Sequence, residues 1–160
     1  MPSIAPVTAD ILVTAACWQA EPDAEALVQR AIEAAAKHAA ASAEAAEVAI
    51  VLTDDSGIRT LNRDWRGIDK PTNVLSFPAV QAPARGGEPR LLGDIAIAYE
   101  TTRREAESEH KPFAHHLSHL AVHGFLHLVG YDHETDTDAE TMESLERKIL
   151  AGLGVPDPYA

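Results

Sequence analysis

Cysteine is nearly absent from this sequence: Cys17 stands alone among 160 residues. An intrachain disulfide and a cysteine-based metal site are therefore both excluded, and a reducing compartment is the expectation. Aromatic residues make up only 5%. No apolar run approaches the roughly 20 residues a membrane-spanning helix needs. Met1 to Asp10 lacks a basic stretch followed by an apolar one, so no signal peptide is expected and the chain reads as cytoplasmic. Basic residues are few as well: 13 Lys and Arg face 25 Asp and Glu, for a formal net charge of −12. Taken as an average, that charge disfavours a general nucleic-acid binder and an anionic membrane surface.

What is present is 46% hydrophobic residues in a length suited to one domain, and 1–160 is read as a single unit. Residues 4–18, Glu47–Thr53, Thr72–Pro78 and Gly93–Tyr99 read as four strands. Helices are expected over Ala24–Ala46, where alanine provides both propensity and a small-residue packing face, and from a Ser56 cap through Trp65. Three more are expected over Glu100–His110, from Pro112 through Leu128, and from the acidic stretch Thr135–Glu140 through Leu150. Gly67–Pro71 and the Pro- and Gly-rich Gln81–Arg90 read as loops. Strands and helices interleave, so the fold class is α+β: a four-stranded sheet with about five helices.

Histidine is the unusual abundance. There are eight, six of them between His110 and His127. His123 and His127 are four apart, which on a helix puts both rings on one face about 5–6 Å apart at Cβ. Gly130 can end that helix in a left-handed turn, letting His133 fold back as a third ligand. Three neutral imidazoles leave a tetrahedral ion one open position, the arrangement of a catalytic zinc carrying a water. A lone histidine is more often a packing residue, but three at this spacing point to a metal. The alternative is a structural ion with Asp132 or Glu134 as fourth ligand. Histidine sites also accept Ni, Cu or Co. The spacing invites comparison with His-Glu-x-x-His metalloproteases, yet Gly124 occupies the position of their general base, so their chemistry is not expected here. His119 lies one turn before His123 and is a candidate catalytic residue in the same cleft. His38, His110 and His116 are expected at the surface.

Three segments, LNRDWRGIDKPTNVLSFP (Leu61–Pro78), LLGDIAIA (Leu91–Ala98) and HLAVHGFLHLVGYDHETD (His119–Asp136), resemble in order the bacterial YbeY family. The final helix, with Met142 and Glu146, also looks similar; the first 45 residues match loosely. The resemblance implies a metal-dependent endoribonuclease acting in ribosomal RNA maturation and ribosome quality control. It implies a small mixed sheet flanked by helices, with a metal helix related to that of the zincin-like matrix metalloproteases. It further implies one zinc on His123, His127 and His133, and a functional arginine at Arg66. An arginine can hold a phosphate bidentately and stabilise charge building on it; the bland reading pairs Arg66 with Asp64 or Asp69. Asp94 is expected to turn a strand entrance, and Asp132 to orient a ligand. Thr72, Asn73 and Ser76 are expected to serve strand registry. The expected partners are single-stranded ribosomal RNA and the small ribosomal subunit or one of its proteins. A non-catalytic assembly factor with a structural metal is the rival, and a protease the more distant one.

The charge distribution moderates the average. From Arg59 to Lys111 there are nine basic and eight acidic residues, leaving four basic and seventeen acidic elsewhere. Arg59, Arg63, Arg66 and Lys70 are expected to line one wall of a cleft facing the metal.

Overall fold

A computed structural model describes residues 7–39, 45–79 and 90–160. Its sheet has four strands in the order β1-β2-β4-β3. These are β1 (Val7–Val13), β2 (Ala46–Thr53), β3 (Val74–Pro78) and β4 (Arg90–Ala98). β1 and β4 both run parallel to β2, and β3 runs antiparallel to β4 at the edge. The helices are α1 (Ala24–Ala39), α2 (Asp55–Arg66), α3 (Tyr99–Ser108), α4 (Phe113–Leu128) and α5 (Asp136–Gly152). This is the expected α+β class: a mixed four-stranded sheet flanked by five helices.

The period of two along the strands sorts side chains onto two faces. Val48, Ile50 and Leu52 of β2 and Ile95 and Ile97 of β4 join one core with α1 and α4. Leu75 of β3 and Ala96 and Ala98 of β4 face the other way, under Ile58 of α2. α1 buries Ala24, Val28, Ala31, Ile32, Ala35 and Ala36, one stripe at helical spacing, so its alanines form the small-residue packing face. α4 buries ten of its sixteen residues, because α1, α3, α5 and the sheet all pack around it. A helix enclosed on most sides is a rigid platform for His123 and His127, two of the five histidines it carries.

Several boundaries differ from expectation. The first strand stops at Val13 and a 3-10 turn, Ala16–Ala20, follows. The turn buries Trp18, whose Nε1 donates to Thr53 O at 2.8 Å, a partner an indole N–H needs once buried. Residues 4–6 of that expected strand lie outside the described residues. α1 is described to Ala39; residues 40–44 of the longer expected helix lie outside the description, and Ala46 already belongs to β2. The N-cap of α2 is Asp54, not Ser56: the Asp54 carboxylate accepts from Gly57 N at 2.8 Å. The loop expected over 81–90 lies outside the described residues except for Arg90, which begins β4. Asp94 sits within β4, opposite Phe77, not at a strand entrance.

Candidate metal centre

α4 sets the first two candidate ligands. His123 and His127 stand on successive turns with ring centroids 4.6 Å apart and their Nε2 atoms 3.1 Å apart. Val129 caps the helix, and Gly130 follows at φ 103, a conformation glycine adopts without penalty. Tyr131 N then bonds back to Leu126 O at 3.0 Å. This reversal returns His133 to the helix, its ring 5.1 Å from that of His127 and 5.6 Å from that of His123. One ligand atom from each of the three lies within 4.8 Å of the others. Two nitrogens bound to one tetrahedral zinc sit about 3.3 Å apart, so the His123–His127 pair is already near ligand spacing. The His127 ring is held below its ordinary pKa by burial first, then by His123 and His133. A depressed pKa keeps its lone pair available to a metal at neutral pH. The donor set thus fits the ion expected from the sequence.

Glu146 of α5 stands behind this triad, fully buried at 0% exposure. His123 Nδ1 donates to its Oε1 at 3.2 Å, and His119 Nε2 to its Oε2 at 2.6 Å. Burial alone raises a carboxyl pKa; here the hydrogen bonds from His119 and His123 outweigh it and bring Glu146 down to about 2. His119, His123 and Glu146 form a second group with ligand atoms within 4.8 Å. His123 belongs to both groups through different nitrogens. Its Nε2 faces His127 while its Nδ1 faces Glu146. A carboxylate on the far nitrogen of a metal-binding imidazole fixes its tautomer and raises its basicity, which suits Glu146 as support for the triad.

The triad opens on a cleft of about 510 Å³ lined by Arg66, Asn73, Ser76, His123, His127 and His133, among others. Arg66 is the last residue of α2, and its Nη2 donates to Ser76 O at 3.4 Å. Asp69 pairs with Arg59 at 2.8 Å and Asp64 with Arg63 at 3.0 Å, so neither acid takes Arg66. The four-residue basic wall is corrected accordingly: of Arg59, Arg63, Arg66 and Lys70, only Arg66 lines the cleft. Asn73 is held on the cleft wall by a 2.9 Å bond to Glu105, which also receives His116 Nε2 at 2.8 Å. His116 is therefore buried, not at the surface as expected. His38 and His110 are exposed as expected. Asp132 lines the cleft, but its Oδ1 accepts from Glu134 N at 3.3 Å. Neither acid joins the three histidine nitrogens, so no fourth protein ligand completes the set among the described residues.

Gly124 explains the missing protease base. Ser76 Oγ donates to its carbonyl at 3.0 Å, and a Cβ built there would lie 3.0 Å from Ile95 Cγ2 and 3.2 Å from Ser76 Oγ. The helix approaches the sheet closely enough that any side chain here would press on Ile95 and Ser76. His119 does not line the cleft; its ring points to Glu146 and borders a separate pocket beside Asp157 and Ala160. The structure thus brings together Arg66, His123, His127 and His133 and sets His119 behind them. Sequence reasoning gave Glu146 no role of its own. The signal lay in α5, whose buried stripe reads Met142, Glu146, Ile149, Leu150: an acid at a core position.

A family profile described as Endoribonuclease YbeY matches residues 14–154. An Endoribonuclease YbeY of Rhodopseudomonas palustris (strain BisA53) is 68% identical over 99% of this chain and 93% of its own length. Another, from Bradyrhizobium diazoefficiens, is 68% identical over 94% of this chain and 84% of its own length. The solution structure of a Thermotoga maritima protein has the same fold, with a TM-score of 0.59 at 24% identity over 89% of this chain and 87% of that one. With the histidine triad on its glycine-terminated helix and a match running nearly end to end, the chain belongs to the endoribonuclease YbeY family.

Proposed function

We propose that this chain is a zinc-dependent endoribonuclease that cuts single-stranded ribosomal RNA during ribosome maturation and quality control, with residues 1–160 acting as one unit. The observation that carries the reading is the placement of Arg66 on the same cleft as His123, His127 and His133. Those three histidines would hold the ion, and three donors instead of four favour a catalytic over a structural metal. When bound, zinc supplies a Lewis acid for a phosphoryl oxygen and lowers the pKa of a coordinated water. Arg66 grips the scissile phosphate bidentately and offsets the negative charge that grows on it in the transition state. Asn73 and Ser76 shape the wall that orients the strand. His119 acts through Glu146, which keeps the His123 ring turned with Nε2 to the cleft. With Gly124 after His123, the chain has no carboxylate where a protease of this helix type holds its base.

The expected site of action is the cytoplasm, on the small ribosomal subunit. Its acidic remainder suits contact with a basic ribosomal protein. No helix among the described residues is long and apolar enough to cross a membrane. The test is Arg66→Ala. Cleavage of a single-stranded RNA should fall about 10²- to 10³-fold while zinc content stays at the parental level. Cleavage at the parental rate sinks the role of Arg66. A His123→Ala protein prepared in parallel exposes any co-purifying nuclease.

A further inference from the structure

The segment after α5 is built onto the back of the metal centre. Leu153 caps the helix and Gly154, at φ 76, turns the chain. Val155 N bonds to Leu150 O at 2.9 Å, and its side chain is buried. The Asp157 carboxylate then takes Arg147 Nε at 3.2 Å and Tyr159 N at 2.8 Å, which curls the segment back over α5. The Tyr159 ring is gripped from two sides. Its centroid lies 5.4 Å from that of His119, edge to face, and 5.6 Å from the Arg147 guanidinium carbon. Its hydroxyl reaches Glu146 Oε2 at 2.8 Å.

The proton count at this cluster is decided by one orphaned atom. Among the described residues His119 Nδ1 is buried with no partner, so the ring proton belongs on Nε2, which donates to Glu146. The phenol has a single hydrogen, and the carboxylate is its nearest acceptor. Glu146 therefore accepts from Tyr159 and His119 on Oε2 and from His123 on Oε1. Two donors on one oxygen pin the carboxylate, leaving the other aimed at the His123 Nδ1 proton.

We propose that Tyr159 is a positioning residue for the metal centre: its hydroxyl fixes Glu146, and Glu146 fixes the His123 ring for zinc. Tyr159 lies beyond the segment 14–154 that the family profile covers. The inference rests on reading His123 as a zinc ligand. Loss of a direct partner of a ligating histidine lowers metal affinity about 10- to 100-fold; Tyr159 acts one hydrogen bond further out, so about three- to tenfold is expected.

The test uses the full chain as wild type, Tyr159→Phe, Glu146→Gln and the double variant, with zinc affinity read by competition against a chromophoric chelator. Tyr159→Phe should raise the zinc Kd about three- to tenfold. In the Glu146→Gln background, whose single amide oxygen cannot accept from Tyr159 and from His123 at once, the same change should have a smaller effect. An unchanged or lower Kd in Tyr159→Phe overturns the proposal, as does an equal factor in both backgrounds. If Glu146→Gln does not fold, the ring N–H proton of His123 in zinc-loaded protein provides the second reading. It should move upfield in Tyr159→Phe as its bond to Glu146 loosens, and an unmoved resonance rejects the role. A wild-type chain that binds no zinc removes both this inference and the proposed function. A wild type that binds zinc as tightly as Tyr159→Phe removes this inference alone.

Discussion

Glu146 carries three donors on two oxygens at full burial, and its protonation should register in stability. Its folded pKa, about 2, lies below the ordinary 4.5. As pH falls below 4.5 the unfolded chain takes up a proton that the folded chain resists. The stabilisation is thus fully present above pH 4.5 and is lost as pH falls toward 2. A displacement of that size corresponds to roughly 3 kcal/mol. Thermal melts of the metal-free protein between pH 6 and 2.5 should show a steep acid limb, and Glu146→Gln should flatten it. An identical limb in the variant would place the acid sensitivity elsewhere. The histidine triad was readable one residue at a time, because helical spacing and a following glycine are local properties. Glu146 was not: its histidine partners are 23 and 27 positions away, and only packing of α5 on α4 brings them into contact.

At the scale of elements, the close approach of α4 to the sheet decides what chemistry the metal helix can host. Ile95 is fully buried in β4 and Ser76 Oγ is bound to the Gly124 carbonyl, so a side chain at position 124 must push one of them aside by a few tenths of an ångström. Gly124→Ala gains about 1 kcal/mol of helix propensity but overpacks at a cost of about 1–3 kcal/mol. A net loss of about 1 kcal/mol is expected, seen as a fall in Tm of about 3 °C. Gly124→Glu, which restores the protease spelling, should unfold the helix–sheet contact and give no peptidase activity. A Gly124→Ala protein as stable as its parent would show that the contact has slack. Element types were legible in the sequence: alanine spacing in α1, β-branched runs in β2 and a glycine past α4. The Ser56 cap was misplaced because Asp54 and Ser56 are both good caps, and local preference does not choose between them.

For the whole molecule, the charge of −12 is a poor guide to the cleft. Arg59 and Arg63 are occupied by Asp69 and Asp64, leaving Arg66 to face the triad. Binding of single-stranded RNA should therefore rest on few phosphate contacts. Each such contact gives a slope of about −0.7 in log K against log salt, so the total should be shallower than about −2. Fluorescence anisotropy with a His123→Ala protein between 50 and 200 mM salt measures it. A slope steeper than about −3 would place basic side chains outside this cleft in contact with the strand.

The sequence by itself determined the class of elements, the three clustered histidines with their helical spacing, and the absence of cysteine ligands. All of these follow from composition and short-range periodicity. Only the tertiary structure decided which arginine shares a cleft with the three histidines, how closely position 124 meets the sheet, and that Glu146 joins His119, His123 and Tyr159 behind them. Those depend on how far one element stands from another, and the folded packing sets that distance.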